Sequence, residues 1–238
     1  MAGLIIGVAG KKGESGKTTV AVNVAGALAE IFTEVLVIDS DPQGTVLTWR
    51  AAAGDSDFPV QVMGLPQPVI HQEAPKFAQK YDAVVIDSPS GYQDEQIQRS
   101  VMLAASLVVI PVQPSAVDIW SARDTVGLLD QAKIYTPHLK AALLISRALP
   151  RTRLSQEARE ALEVLSLPVF QASISQRVGL AEAPLYGKLI FNYPDNPAAE
   201  EFRSLAREIL EVMHRIFPPD FGQRRTISMS YVNSCSIM

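Results

Sequence analysis

The sequence predicts a single α/β domain, a twisted and mostly parallel sheet flanked by helices on both faces. Three observations carry that expectation. Short apolar runs alternate with helix-length amphipathic segments along most of the chain, the strand–helix–strand repetition of a parallel sheet. The apolar runs are continuous and not alternating, as suits strands covered on both faces. The 238 residues, 47% hydrophobic and 19% charged, can bury a sizeable core without staples and are too apolar for a disordered chain or a coiled coil.

Taken in order, strands are expected at Leu4–Ala9, Val35–Asp39, Val60–Met63, Ala83–Asp87, Leu107–Val112, Ala142–Ser146 and Val169–Ile174. Helices are expected at Thr18–Ile31, Gln93–Ala105, Ala116–Ile134, Ser155–Leu165 and Pro197–Ile216. Right-handed crossovers would bring the strand C-termini to one edge, where ligands bind. Residues 1–217 read as one domain. Residues 218–238 lose periodicity and read as a flexible tail.

Composition narrows the function. Cys235 is the only cysteine, which excludes an intrachain disulfide and cysteine-rich zinc or iron–sulfur sites. No apolar run approaches the roughly 18 residues of a membrane span. At the N-terminus charge follows the apolar run, the reverse of a secretory signal. These features predict a cytoplasmic protein. The net charge is −4. Residues 1–139 hold 9 Lys and Arg against 15 Asp and Glu, and residues 140–238 hold 12 against 10. An acidic front thus precedes a mildly basic back, which permits a local basic face.

The first strand runs into Gly10-Lys11-Lys12-Gly13-Glu14-Ser15-Gly16-Lys17-Thr18-Thr19 and then an amphipathic helix. Strand, glycine-containing loop and helix N-terminus together form a phosphate cradle, since backbone N–H groups and the helix dipole favour anions there. Gly13 and Gly16 allow close backbone approach. Lys17 would reach the β- and γ-phosphates and Thr18 would offer its hydroxyl to Mg²⁺. The strict G-x-x-x-x-G-K-[ST] pattern lacks its first glycine, where Lys11 stands. In its place is a second lysine, Lys12, five residues before Lys17, with Glu14 at a position where glycine is usual.

This deviant Walker A loop resembles that of the ParA/MinD family of ATPases, and the resemblance extends over roughly residues 3–215. It is greatest to the short plasmid-partition type that lacks an N-terminal DNA-reading domain. The resemblance implies a P-loop NTPase domain that binds ATP or ADP with Mg²⁺ and forms an ATP sandwich dimer. Lys12 would reach the partner's nucleotide, adding a cation at the γ-phosphate. Residues Lys12 to Thr19, including Ser15, would line the nucleotide.

Two acidic strand ends complete the set. Asp39-Ser40-Asp41-Pro42-Gln43 matches the family's D-x-D-P-Q, so Asp41 would place the attacking water near the Mg²⁺ shell. Asp39 reads as structural, with a side chain that could bond the phosphate loop. Val84-Val85-Ile86-Asp87 has the Walker B form, which assigns Asp87 to Mg²⁺, through water because Mg²⁺ takes few protein ligands. The segment Ile110–Asp118 resembles the family's V-P-x-x-P-S stretch and reads as scaffold and interface, with Trp120 in packing or interface. By resemblance the base would lie against Ser146 and Arg147 and against a loop near Pro194.

The family reading implies hydrolysis that is slow and partner-stimulated, non-specific DNA binding on the nucleoid, a ParB-like adaptor, and positioning or segregation of a cargo. Arg177, Lys188, Arg203, Arg207 and Arg215 are the candidate DNA face, diluted by Glu200, Glu208 and Glu211. The competing reading is a MinD-like membrane-associated ATPase. It would use the apolar face Leu205, Ile209, Val212, Met213 and Ile216 of the last helix, a face that equally suits packing on the sheet.

Overall fold

Why does a chain of short apolar runs close on itself here? The inner runs are strands buried on both faces, and the crossovers between strands carry helices that return the chain to the same edge. The computed structural model describes residues 3–54, 58–149, 152–193 and 196–216. The elements follow as β1 (Leu4–Val8), α1 (Lys17–Ala29), β2 (Val35–Asp39), α2 (Thr45–Ala52), β3 (Gln61–Gly64), α3 (Ile70–Phe77), β4 (Ala83–Asp87) and α4 (Glu95–Ala104). After them come β5 (Leu107–Val112), α5 (Ala116–Tyr135), β6 (Lys140–Ala148), α6 (Arg153–Glu163), β7 (Val169–Ser175), α7 (Val178–Glu182) and α8 (Pro197–Ile216). Two 3₁₀ turns, Ala183–Tyr186 and Ile190–Asn192, link α7 to α8.

The strands form one sheet in the order β3-β2-β4-β1-β5-β6-β7, and every pairing is parallel. Successive side chains point to opposite faces of a strand. Ile6, Val8, Val37, Val85 and Val109 therefore meet α1, α2 and α8 in one core. On the other face Ile5, Leu36 and Ile86 meet α3 and α4, and Val108, Ile110 and Leu143 meet α5 and α6.

All seven expected strands are present, β2, β4 and β5 with the expected ends and the others with shifted ones, and α8 spans the expected residues. Two eight-residue helices, α2 and α3, and the short α7 were not anticipated. β6 is also longer than expected, beginning at Lys140. Leu205, Ile209 and Met213 are buried in the sheet's core. These three residues of the α8 apolar face are therefore used in packing on the sheet. Among the described residues no helix is long and apolar enough to cross a membrane. The expected tail over 218–238 lies outside the described residues.

Register places the chemistry. Val8 pairs with Asp87 across β1 and β4, and Asp87 pairs with Asp39 across β4 and β2. The phosphate loop and both acidic strand ends thus converge at the C-terminal edge of three adjacent strands.

Candidate functional site

The loop between β1 and α1 is held open by its own backbone. Gly16 takes a left-handed conformation, φ 86°, at the N-cap of α1, and no side chain caps the helix. The first N–H groups of α1 have no intrahelical acceptors and face the loop mouth. Glu14, where glycine is usual, also has positive φ, 62°, which explains the family's preference for glycine there. Its side chain is exposed, and its carbonyl accepts from Gln113 Nε2 at 3.0 Å. Gly13 is exposed at the rim. Lys17 folds back over the loop, and its Nζ donates to the Lys12 carbonyl at 2.9 Å. Its burial lowers the ammonium pKa, while the carboxylates of Asp87 and Asp41 act in the opposite direction.

Asp87 is fully buried at the end of β4. Neither carboxylate oxygen has a hydrogen-bond partner of normal geometry. Burial raises its pKa to about 7, offset in part by the nearby Thr18 hydroxyl and by Lys17. An orphaned buried carboxylate beside a hydroxyl at a phosphate cradle fits a hard divalent cation. Among the described residues no group of three or more His, Cys, Asp or Glu could hold a metal. A cation there would keep few protein ligands, which suits Mg²⁺ with substrate phosphate and water.

Asp41 lies half-buried on the β2–α2 loop, where its Oδ1 accepts from the Gln43 N–H at 2.9 Å. Its charge also acts on Lys17. Asp39 does not bond the phosphate loop, as its sequence position had suggested it could. Its Oδ2 accepts from the Val46 and Leu47 N–H groups, and its Oδ1 from that of Asp41. A carboxylate at the N-terminus of α2 satisfies two of the helix's otherwise unpaired donors. Burial nonetheless raises its pKa.

The two lysines ahead of Lys17 are both engaged. Lys12 Nζ lies 2.8 Å from Asp118 Oδ2 on α5. Lys11 Nζ lies 2.6 Å from Glu95 on α4 and 4.3 Å from the Tyr92 ring centre. Asp118, Glu95 and Tyr92 were not among the sequence candidates. The pattern Ser115-x-x-Asp118 was a usable sign, since it is a capping-box spacing, and Ser115 does cap α5.

Other candidates are placed differently. Ser146 is buried, and its hydroxyl donates to the Ser15 carbonyl at 2.7 Å. It braces the phosphate loop, and its one donor is used there. Arg147 is exposed with φ 51° and reaches over Gly16, on the nucleotide side. Pro194 lies outside the described residues. Thr19 lies in the first turn of α1 and its carbonyl accepts from Asn23, whose Oδ1 in turn accepts from the Ile190 N–H. The basic candidates are mostly compensated. Arg177 pairs with Glu201, Arg203 makes two 2.8 Å contacts to Glu30, and Arg207 pairs with Glu200. Lys188 lies 5.8 Å from the Tyr193 ring centre, and Arg215 is exposed near the end of α8.

A phosphate cradle on the central strand, with acids closing it from the next two strands, defines a P-loop nucleotide-binding protein. Residues 6–190 match the family described as CobQ/CobB/MinD/ParA nucleotide binding domain, and the chain belongs to it. The chain is 30% identical over 217 residues to "Maintenance of carboxysome distribution protein A" of Halothiobacillus neapolitanus, covering 90% of this chain and 96% of that one. It is 27% identical to "Chromosome-partitioning ATPase Soj" of Thermus thermophilus, covering 86% and 94%. Among solved structures, the cell division ATPase MinD of Pyrococcus furiosus superposes with a TM-score of 0.70 at 24% identity, covering 88% of this chain and 99% of that one. MinD of Pyrococcus horikoshii with Mg-ADP gives 0.70 at 22%, covering 91% and 99%. The likeness to these two structures is one of fold.

Proposed function

We propose that this chain is a Mg²⁺-dependent ATPase of the ParA/MinD positioning type. It hydrolyses ATP as a nucleotide-held homodimer, and its ATP state engages DNA without sequence preference. An adaptor of the ParB kind stimulates turnover and so moves a cargo. The observation that carries the ATPase reading is Asp87, buried and without a partner, beside Lys17 and Thr18 at the phosphate loop.

The α1 N–H groups and Lys17 would hold the phosphate oxygens. Thr18 and Asp87 would hold Mg²⁺, which when bound neutralises charge on those oxygens. Asp41, free on its second oxygen to accept a proton or orient water, would place the nucleophile. Lys12 would add its charge to the nucleotide of the second copy. Arg147 would cover the nucleotide from β6. The carboxysome-distribution relative favours a protein assembly as cargo, and the chromosome-partitioning relative supports DNA as the surface.

Within the basic back of the chain, Lys188 and Arg215 are the better candidates for phosphate contacts, because Arg177, Arg203 and Arg207 already face carboxylates. The buried face of α8 disfavours the membrane reading.

The test is ATP hydrolysis with and without Mg²⁺, beside duplex DNA binding with ATP, with ADP and without nucleotide at two salt concentrations. Mg²⁺-dependent turnover with ATP-dependent, salt-sensitive binding is expected. Absence of turnover under every condition, DNA and candidate adaptors included, would overturn the ATPase reading. Binding to anionic vesicles in place of DNA would overturn the nucleoid reading. Asp41→Ala is expected to hold the ATP dimer with hydrolysis reduced at least about 100-fold. Unchanged turnover removes Asp41 from the role assigned to it.

A further inference from the structure

Lys12, the residue proposed to serve the second copy's nucleotide, is held inside its own protomer. Its Nζ lies 2.8 Å from Asp118 Oδ2, with Lys12 36% and Asp118 6% exposed. Asp118 stands in the first turn of α5. The Ser115 hydroxyl donates to the same carboxylate oxygen and accepts from the Asp118 N–H at 3.2 Å. The other oxygen, Oδ1, is buried without a partner. Lys12 is therefore the one cation paired with this carboxylate among the described residues. A buried carboxylate with a single counter-charge resists losing it, because the charge left behind is uncompensated.

We propose that Asp118 is a positioning residue that holds Lys12 within the monomer, and that opening the Lys12–Asp118 pair is a step ATP-driven dimerisation has to complete. The inference rests on the dimer reading of the previous subsection. The ammonium that now meets Asp118 would have to swing away from it to reach a phosphate in the second copy. The triphosphate, with several negative charges, is the stronger acceptor, and ADP, lacking the γ-phosphate, is the weaker one. The pair thus biases the monomer against dimerising until ATP is present. Because a symmetric dimer opens two such pairs, the bias enters the dimer equilibrium twice.

The experiment is a concentration series of wild type and Asp118→Asn with ATP and with ADP. Dimer fraction is read by analytical ultracentrifugation and turnover per subunit in parallel. The amide keeps the side chain's size and can still meet Ser115, while removing the charge. Asp118→Asn is expected to dimerise with ATP at about tenfold lower protein concentration, the square of a roughly threefold release per protomer. The half-saturating concentration for turnover should move by the same factor. ADP affinity and turnover at saturating protein should stay within about twofold.

In a Lys12→Ala background Asp118→Asn should have no effect on the dimer curve. Ser115→Ala removes the cap and not the charge. It should lower thermal stability and leave the dimer curve in place. A dimer curve unchanged or weakened in Asp118→Asn overturns the inference while leaving the dimer reading intact. The same follows if the shift persists without Lys12 or is reproduced by Ser115→Ala. A wild type that stays monomeric with ATP at every concentration overturns the dimer reading itself, and this inference with it.

Discussion

Lys17 sits where its own charge is disfavoured. Burial lowers its pKa, and the fields of Asp87 and Asp41 restore part of what burial removes. A phosphate chain would complete that compensation. Lys17→Ala is therefore expected to weaken ATP binding at least about 100-fold, checked by fluorescent-nucleotide titration. Asp87 shows the converse. Its folded pKa of about 7 lies above the ordinary value of 3.8, so the folded state holds a proton that the unfolded chain has released. That contribution is complete below the unfolded pKa and is lost as pH rises toward 7, on the order of a few kcal/mol. Without nucleotide, the melting temperature should fall over pH 4–7, and Asp87→Asn should flatten the slope. Equal slopes in thermal melts would contradict the burial argument. Lys17 and Thr18 were legible through the glycine-containing loop that opens a helix, and Asp41 and Asp87 through strand ends. Asp118 was not, because it meets Lys12 across 106 residues and only the folded sheet brings the two together.

Elements are stitched by contacts that short-range patterns do not display. β2 caps α2 through Asp39, and α2 in turn rests on the first 3₁₀ turn, just beyond which Trp49 Nε1 donates to the Lys188 carbonyl at 2.9 Å. Gly187 closes that junction with φ 58°. A Cβ on it would lie 2.0 Å from the Ala53 backbone nitrogen. Gly91 has φ 83° and open space around it. Gly91→Ala is expected to cost about 1 kcal/mol, from left-handed backbone alone. Gly187→Ala should cost more than about 3 kcal/mol, because two backbones would have to separate. Chemical denaturation of both variants checks the contrast, and similar losses would refute it. The strands were readable from continuous apolar runs. α2 and α3 were not, since each is eight residues long and α3 lies among Pro66, Pro68 and Pro75, which read as breakers. Asp39 was assigned a structural role correctly, but its partner is a helix that the sequence pattern had not announced.

Over the whole molecule, Arg159, Arg177, Arg203 and Arg207 of the basic back are spent on cohesion. Arg203 bridges α8 to Glu30 beyond the end of α1. Arg203→Ala should lower stability by up to about 1 kcal/mol, the pair being partly exposed, with little change in DNA affinity. Lys188→Ala and Arg215→Ala should weaken DNA binding at every sequence and reduce the salt slope by about one each. Filter binding at several salt concentrations decides the matter, and the reverse assignment would restore Arg203 to the DNA face. The strand order has a consequence for the chain as it leaves the ribosome. β1 emerges first but pairs only with β4 and β5, whose residues begin at Ala83 and Leu107. For the first third of synthesis the segment that carries the phosphate loop has no sheet neighbour at all. Its apolar run has to wait for those neighbours, and ATP capture by a nascent chain is expected only once β5 is clear.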